Sequence, residues 1–248
     1  FRALAKTGYR SRLTRWSGET TGIQDPRGQL KDSAYTSREN RRERQHSAPV
    51  FVLGNQKSGS TAIASLMAEC VGETFVFDVL HSNKLQLKDL LDGDNSVLGL
   101  VDSHPEPFSA SVVKDNDFTF LYPSLARAFP EARFVFIVRD PRQNIRSMLN
   151  RLKLPGDLDA LPAEQYARLR NKLPGWHTIL TGSSFGADTG HYIDVLADRW
   201  VRANEVYLSD KDRMRLVRYE DFGASKRLVI EQLATALEFS VVNDISES

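Results

Sequence analysis

Residues 51–61 read FVLGNQKSGST and constrain the fold more than any other part of the chain. Residues 50–53 are an unbroken apolar run, Gly54 ends it, and from Gly59 onward Ile63, Leu66 and Met67 fall on one helical face. That pattern is strand, loop, helix. The loop carries backbone N–H groups, hydroxyls and Lys57 to a helix N-terminus, where unpaired N–H groups and the helix dipole favour an anion. An ordinary strand-to-helix turn has the same outline, so residue order matters more than residue type. A Walker A loop places its lysine directly after the second glycine. Here Lys57 precedes Gly59, so the loop is of another kind.

Residues 133–138, RFVFIV, form a second continuous apolar run, of the sort buried in a parallel sheet. Arg139 follows at once, and Pro141 suits the first turn of a helix, where its missing N–H costs nothing. Ser147 then lies two turns into that helix. An arginine at a strand end and a serine on the next helix suit a phosphate, because the planar guanidinium meets phosphate oxygens in pairs. A surface ion pair at a helix start, with Asp140 and Arg142, is the plainer reading.

Strands are expected at 50–54, 74–79, 110–114, 133–138 and 214–219, and helices at 59–71, 120–129, 141–152, 194–208 and 225–238. This alternation predicts an α/β fold, a doubly wound parallel sheet flanked by helices. Ligands of such sheets bind past the carboxyl ends of the strands. Lys57, Asp78, Lys114, Arg139 and Tyr219 all fall at or just past such ends. One domain is expected over residues 49–248, preceded by an irregular basic arm over residues 1–48. The arm holds eleven Lys and Arg against five Asp and Glu, a net of +6 within a chain of net charge +1. The remainder is therefore −5, which speaks against general nucleic-acid affinity. The arm is a solvated, partly ordered segment or a strap that crosses the nucleotide site or an acidic partner. Residues 153–190, with Pro155, Pro162, Pro174 and five glycines, read as a long functional or mobile loop.

Taken in order, KSGST at 57–61, VVKDN at 112–116, the Arg139 and Ser147 pair, and LVRYED at 216–221 resemble the motifs of bacterial-type sulfotransferases. These enzymes use 3′-phosphoadenosine 5′-phosphosulfate (PAPS). The resemblance runs from about Pro49 to Phe239. It implies a P-loop-like α/β enzyme that moves a sulfuryl group from PAPS to a hydroxyl or amine and releases 3′-phosphoadenosine 5′-phosphate (PAP), without a metal. It implies that Lys57 holds the bridging or sulfate oxygens. Ser58, Gly59, Ser60 and Thr61 would wrap the 5′-phosphate, and Arg139 and Ser147 the 3′-phosphate. Tyr219 would lie near the adenine, Lys114 on the transferring sulfate, and residues 153–190 around the acceptor.

Two departures bear on mechanism. The cytosolic branch has a histidine two residues after its lysine; that place is Asn116, an amide with no basic site. The general base is instead expected at the end of the second strand, at Asp78, with His81 and Asp115 in reserve. No Arg-Lys-Gly triplet follows the Tyr219 segment, although that branch uses one on the 3′-phosphate. Two other functions fit in part. A P-loop kinase-like phosphotransferase needs a lysine after the second glycine. A non-catalytic nucleotide-binding module predicts loss of Lys57 and Arg139, which are present.

The acceptor is expected to be a small molecule, glycan or lipid, and nothing in the residues names it. His177 and His191 stand alone, and His81 and His104 lack metal-ligand spacing. Cys70 is the single cysteine, so an internal disulfide is impossible. No apolar run approaches a membrane span. A cytoplasmic setting is expected.

Overall fold

The apolar runs become the strands of one sheet. They are β1 (Val50–Gly54), β2 (Phe75–Phe77), β3 (Val112–Lys114), β4 (Arg133–Val138) and β5 (Met214–Arg218). The computed structural model describes residues 48–83, 85–91, 97–186 and 190–245. The expected basic arm, apart from Ala48, lies outside the described residues.

All strand pairs are parallel, in the order β2-β3-β1-β4-β5. The chain thus fills one side of β1 with β2 and β3, then crosses to the other side for β4 and β5. β1 is central, and all five of its residues are buried. A strand covered on both faces reads as a continuous apolar run rather than an alternation. That is why 50–54 and 133–138 were legible end to end. β2 is shorter than its expected range because Asp78 adopts a left-handed φ of 54° directly after Phe77.

Helices among the described residues are α1 (Ser60–Val71), α2 (Val79–Ser82), α3 (Leu87–Leu91), α4 (Val97–Ser103), α5 (Tyr122–Ala128) and α6 (Pro141–Leu152). They continue with α7 (Ala163–Lys172), α8 (Pro174–Thr181), α9 (Tyr192–Ser209), α10 (Tyr219–Ala224) and α11 (Lys226–Ala236). Alternate residues of β1 and β4 feed the two faces of the sheet. Phe51, Leu53, Phe134 and Phe136 join one core with Leu80, Phe118 and Leu125. Val50, Val52, Val135 and Ile137 join the other with Ile63, Met67, Ile230 and Leu233 from α1 and α11.

The segment expected as a loop over 153–190 instead contains α7 and α8. Pro174 opens α8 at its first turn, and Gly182 closes it with φ 66°. Both residues act as punctuation rather than as breakers. Leu169 and Leu180 of this hairpin pack with Met148, Leu152, Tyr192 and Leu196 in a third core cluster.

Candidate active site

The loop after β1 is held by its carbonyls. Asn116 Nδ2 reaches Gly54 O at 2.7 Å, Asn55 O at 3.1 Å and Ser60 Oγ at 3.0 Å. Asn144 Nδ2 donates to Gln56 O at 2.9 Å, and Arg139 Nη1 donates to Lys57 O at 3.1 Å. Thr119 Oγ1 accepts from Gly54 N at 2.8 Å. Four consecutive carbonyls, 54 to 57, are therefore occupied by side-chain donors. The negative ends of these peptides are taken up by the scaffold. Next to them α1 begins at Gly59, with no side chain capping its first turn, so its N–H groups offer an anion site. Lys57 sits at the turn with a left-handed φ of 65°, a strained conformation held by these bonds.

Beneath the loop lies a buried polar knot. Arg199 Nε donates to Gln56 Oε1 at 2.8 Å and its Nη2 to Asp117 Oδ1 at 2.6 Å, while Gln56 Nε2 donates to the same Asp117 oxygen at 2.9 Å. Arg199 is buried, with its guanidinium over the Phe120 ring at 4.4 Å. Every polar arm of Gln56 is thus engaged, which fixes the residue preceding Lys57.

A cleft of about 470 Å³ opens at the carboxyl ends of the strands. Lys57, Gly59, Ser60, Thr61, Asp78, His81, Lys114, Arg139, Ser147 and Tyr219 all line it. Of the residues expected in the site, only Ser58 is off this wall. It is buried, and its Oγ has no hydrogen-bond partner among the described residues. Its N–H bonds back to Asn55 O at 3.2 Å.

Lys114 Nζ and Asp78 Oδ1 form an ion pair at 2.8 Å, the lysine almost fully buried and the carboxylate half exposed. Asp78 starts α2 without using its side chain as a cap. It is held toward Lys114 instead. Asp115 accepts from Leu80 N and Asp117 N, each at 2.9 Å. Burial, reinforced by the Asp117 charge, pushes Asp115 up to about 7. Burial also lowers the Lys57 ammonium below its usual range, with the charges of Arg151, Arg139 and Lys114 acting in the same direction.

The Arg139 guanidinium lies over the Tyr219 ring at 4.1 Å, and that ring rests on Gly59. A Cβ at Gly59, whose φ is 94°, would overlap it. Arg139 Nε is buried without a partner among the described residues. A buried unpaired donor is costly, and Arg139 is held there by its stack on Tyr219 and its bond to Lys57 O while the residue lines the cleft.

The sequence reading missed Asn144, Arg151 and Arg199, whereas Lys172 and Trp176 fall in the 153–190 segment it placed around the acceptor. Asn144, Ser147 and Arg151 recur at i, i+3 and i+7 on α6, a one-face spacing that could have been followed past Ser147. Arg199 gave no such signal, since an arginine on an amphipathic helix ordinarily reads as solvated. Among the described residues, no group of three or more His, Cys, Asp or Glu could hold a metal ion. No helix there is long and apolar enough to cross a membrane.

A model of the sulfotransferase family matches residues 73–244. The chain belongs to the sulfotransferase family. Membership supports sulfotransfer in general as the activity. The match starts beyond the Lys57 loop, so that loop stands on its own geometry. A search of curated proteins finds no match.

Solved structures similar to this sulfotransferase-family chain include a sulfotransferase from Alicyclobacillus acidocaldarius, 15% identical with a TM-score of 0.49, covering 80% of this chain and 85% of that one. A sulfotransferase from Mycobacterium tuberculosis is 16% identical with a TM-score of 0.47, covering 85% and 73%. Shikimate kinase from Bacteroides thetaiotaomicron is 14% identical with a TM-score of 0.43, covering 77% and 99%.

Proposed function

We propose that the chain transfers a sulfuryl group from PAPS to a hydroxyl or amine of a small acceptor and releases PAP. The observation that carries this is the Arg139 guanidinium, stacked on Tyr219 and bonded to Lys57 O, on a cleft wall shared with Ser147 and the start of α1. A cation stacked on Tyr219 and tied to the loop carbonyl is preorganised for a phosphate.

PAPS, when bound, supplies an activated sulfuryl group with a phosphate leaving group. Lys57 and the first N–H groups of α1 offset charge on that leaving phosphate. Lys114 stabilises charge on the sulfuryl oxygens and orients Asp78 through their ion pair. Asp78 takes the proton from the acceptor; one carboxylate oxygen is engaged by Lys114 and the half-exposed group faces the cleft. Asp115 is the poorer base, because backbone N–H groups already occupy both of its oxygens.

Isothermal titration of the full chain with PAP and with AMP tests the donor. PAP should bind more tightly by about tenfold or more, the worth of charge-assisted hydrogen bonds to a second phosphate. Equal affinities would mean that no 3′-phosphate site exists.

A further inference from the structure

The cleft holds more positive charge than donor binding uses. Lys114 is paired with Asp78, and Asp117 with Arg199. Lys57 and Arg139 serve the donor in the reading above. Arg151 and Lys172 remain on the same wall. Neither side chain has a hydrogen bond or a carboxylate partner among the described residues.

Their positions separate them from the Arg139 end. Arg151 stands one turn beyond Ser147 on α6, away from the helix start at Asp140. It lines the same cleft as Lys57, whose ammonium its charge helps to lower below its usual range. Lys172 is the last residue of α7. Directly after it Leu173, Pro174, Trp176 and Ile179 line the cleft. The third core cluster anchors this hairpin, so the apolar shelf and the lysine beside it are fixed together.

Two cations lining one cavity without carboxylate partners favour a bound anion. A tryptophan and an isoleucine beside them accept an apolar ring or the apolar face of a sugar. We propose that the acceptor is a small hydroxylated compound carrying an oxyanion group of its own. The oxyanion is met by Arg151 and Lys172, and the body of the molecule rests on Trp176 and Ile179, which brings the hydroxyl to Asp78. This rests on the donor reading, which sets where the sulfuryl group lies.

Matched probes test it on the full chain saturated with PAP. The pairs are 4-hydroxyphenylacetate against 4-hydroxyphenylacetamide, and glucuronate against glucose. Binding is measured by titration calorimetry on that complex, and turnover separately with labelled PAPS and no added PAP. In at least one pair the anionic member should bind about tenfold tighter or more, the scale of a charge-assisted contact. Arg151→Gln and Lys172→Gln should each reduce that preference and together remove it, leaving PAP affinity within about twofold, an effect too small to represent a lost hydrogen bond. Equal binding within every pair overturns the proposal. So does a fall in PAP affinity in both variants, which would place the two cations on the donor. Failure of PAP to bind the unaltered chain overturns the donor reading itself and removes the footing of this one.

Discussion

The ring of Tyr219 rests on Gly59, and the space between them leaves no room for a methyl group. The two residues come from opposite ends of the domain, one opening α1 and the other following β5. Gly59→Ala would push the ring off the loop and also place a Cβ at φ 94°, a conformation costing an L-residue about 1–2 kcal/mol. PAP affinity should fall by at least tenfold in that variant, about 1.4 kcal/mol. Tyr219→Ala should restore part of the loss in the double variant by removing the overlap. A Gly59→Ala protein that binds PAP normally would show that this contact does not shape the site.

Lys57→Ala and Arg139→Ala should fail in different ways. In the proposed reaction Lys57 acts on charge that develops during transfer, so its loss should lower kcat by about two to three powers of ten, the scale of one lost oxyanion donor. In the same proposal Arg139 holds a remote phosphate throughout, so its loss should mainly raise KM for PAPS. Steady-state kinetics separates the two. An unchanged kcat in Lys57→Ala would remove the assigned role.

Asp78→Asn keeps the shape of the side chain and loses its basicity. It should reduce kcat by about a hundred- to ten-thousandfold, the usual worth of general-base assistance, with PAP affinity retained. Retention of most turnover would turn attention to His81. Asn116→Ala should behave as a stability variant. It strips donors from Gly54 O, Asn55 O and Ser60 Oγ, at a cost of about 1–3 kcal/mol for buried groups left unpaired. At about 2–4 °C per kcal/mol in a domain of this size, a melting curve resolves the loss.

Asp115 gives the protein a pH-dependent stability of definite sign. Its folded value lies at about 7, while an unfolded aspartate titrates near 3.9, or about 4. Between those values the folded chain keeps a proton that the unfolded chain has lost. Stability therefore falls as pH rises through that window and levels off above it. Asp115→Asn removes this contribution. The difference in Tm between variant and parent should move in the variant's favour from about pH 4 to about pH 7. A constant difference would show that Asp115 stays ionised throughout.

How much of this could be read in the sequence depended on how local the cause was. β1, β4 and the start of α6 were legible because burial on both faces makes a parallel strand uniformly apolar, and because Pro141 marks its helix. The carbonyl clamp was not. Asn116, Asn144 and Arg199 meet the loop across 56 to 143 residues of chain, and an isolated amide or arginine carries no local pattern. α3 and α4 are too short, at five and seven residues, for helical periodicity to register. α7 and α8 were obscured by prolines and glycines that sit at helix boundaries. That Lys57, Asp78, Lys114, Arg139 and Tyr219 share one cleft was legible from topology alone, since all parallel strands deliver their carboxyl ends to one edge.

The third core cluster has one more consequence. The hairpin of α7 and α8 rests on Met148, Leu152, Tyr192 and Leu196 rather than on either face of the sheet. Its cleft-facing residues, the exposed Lys172 and the half-buried Trp176 among them, can therefore be exchanged at the expense of the third cluster alone, without repacking β1 or disturbing the clamp on the Lys57 loop. The domain is built so that one half of its chemistry can be held constant while the other diverges, and a graft of residues 161–181 from a relative is the natural unit for redirecting it.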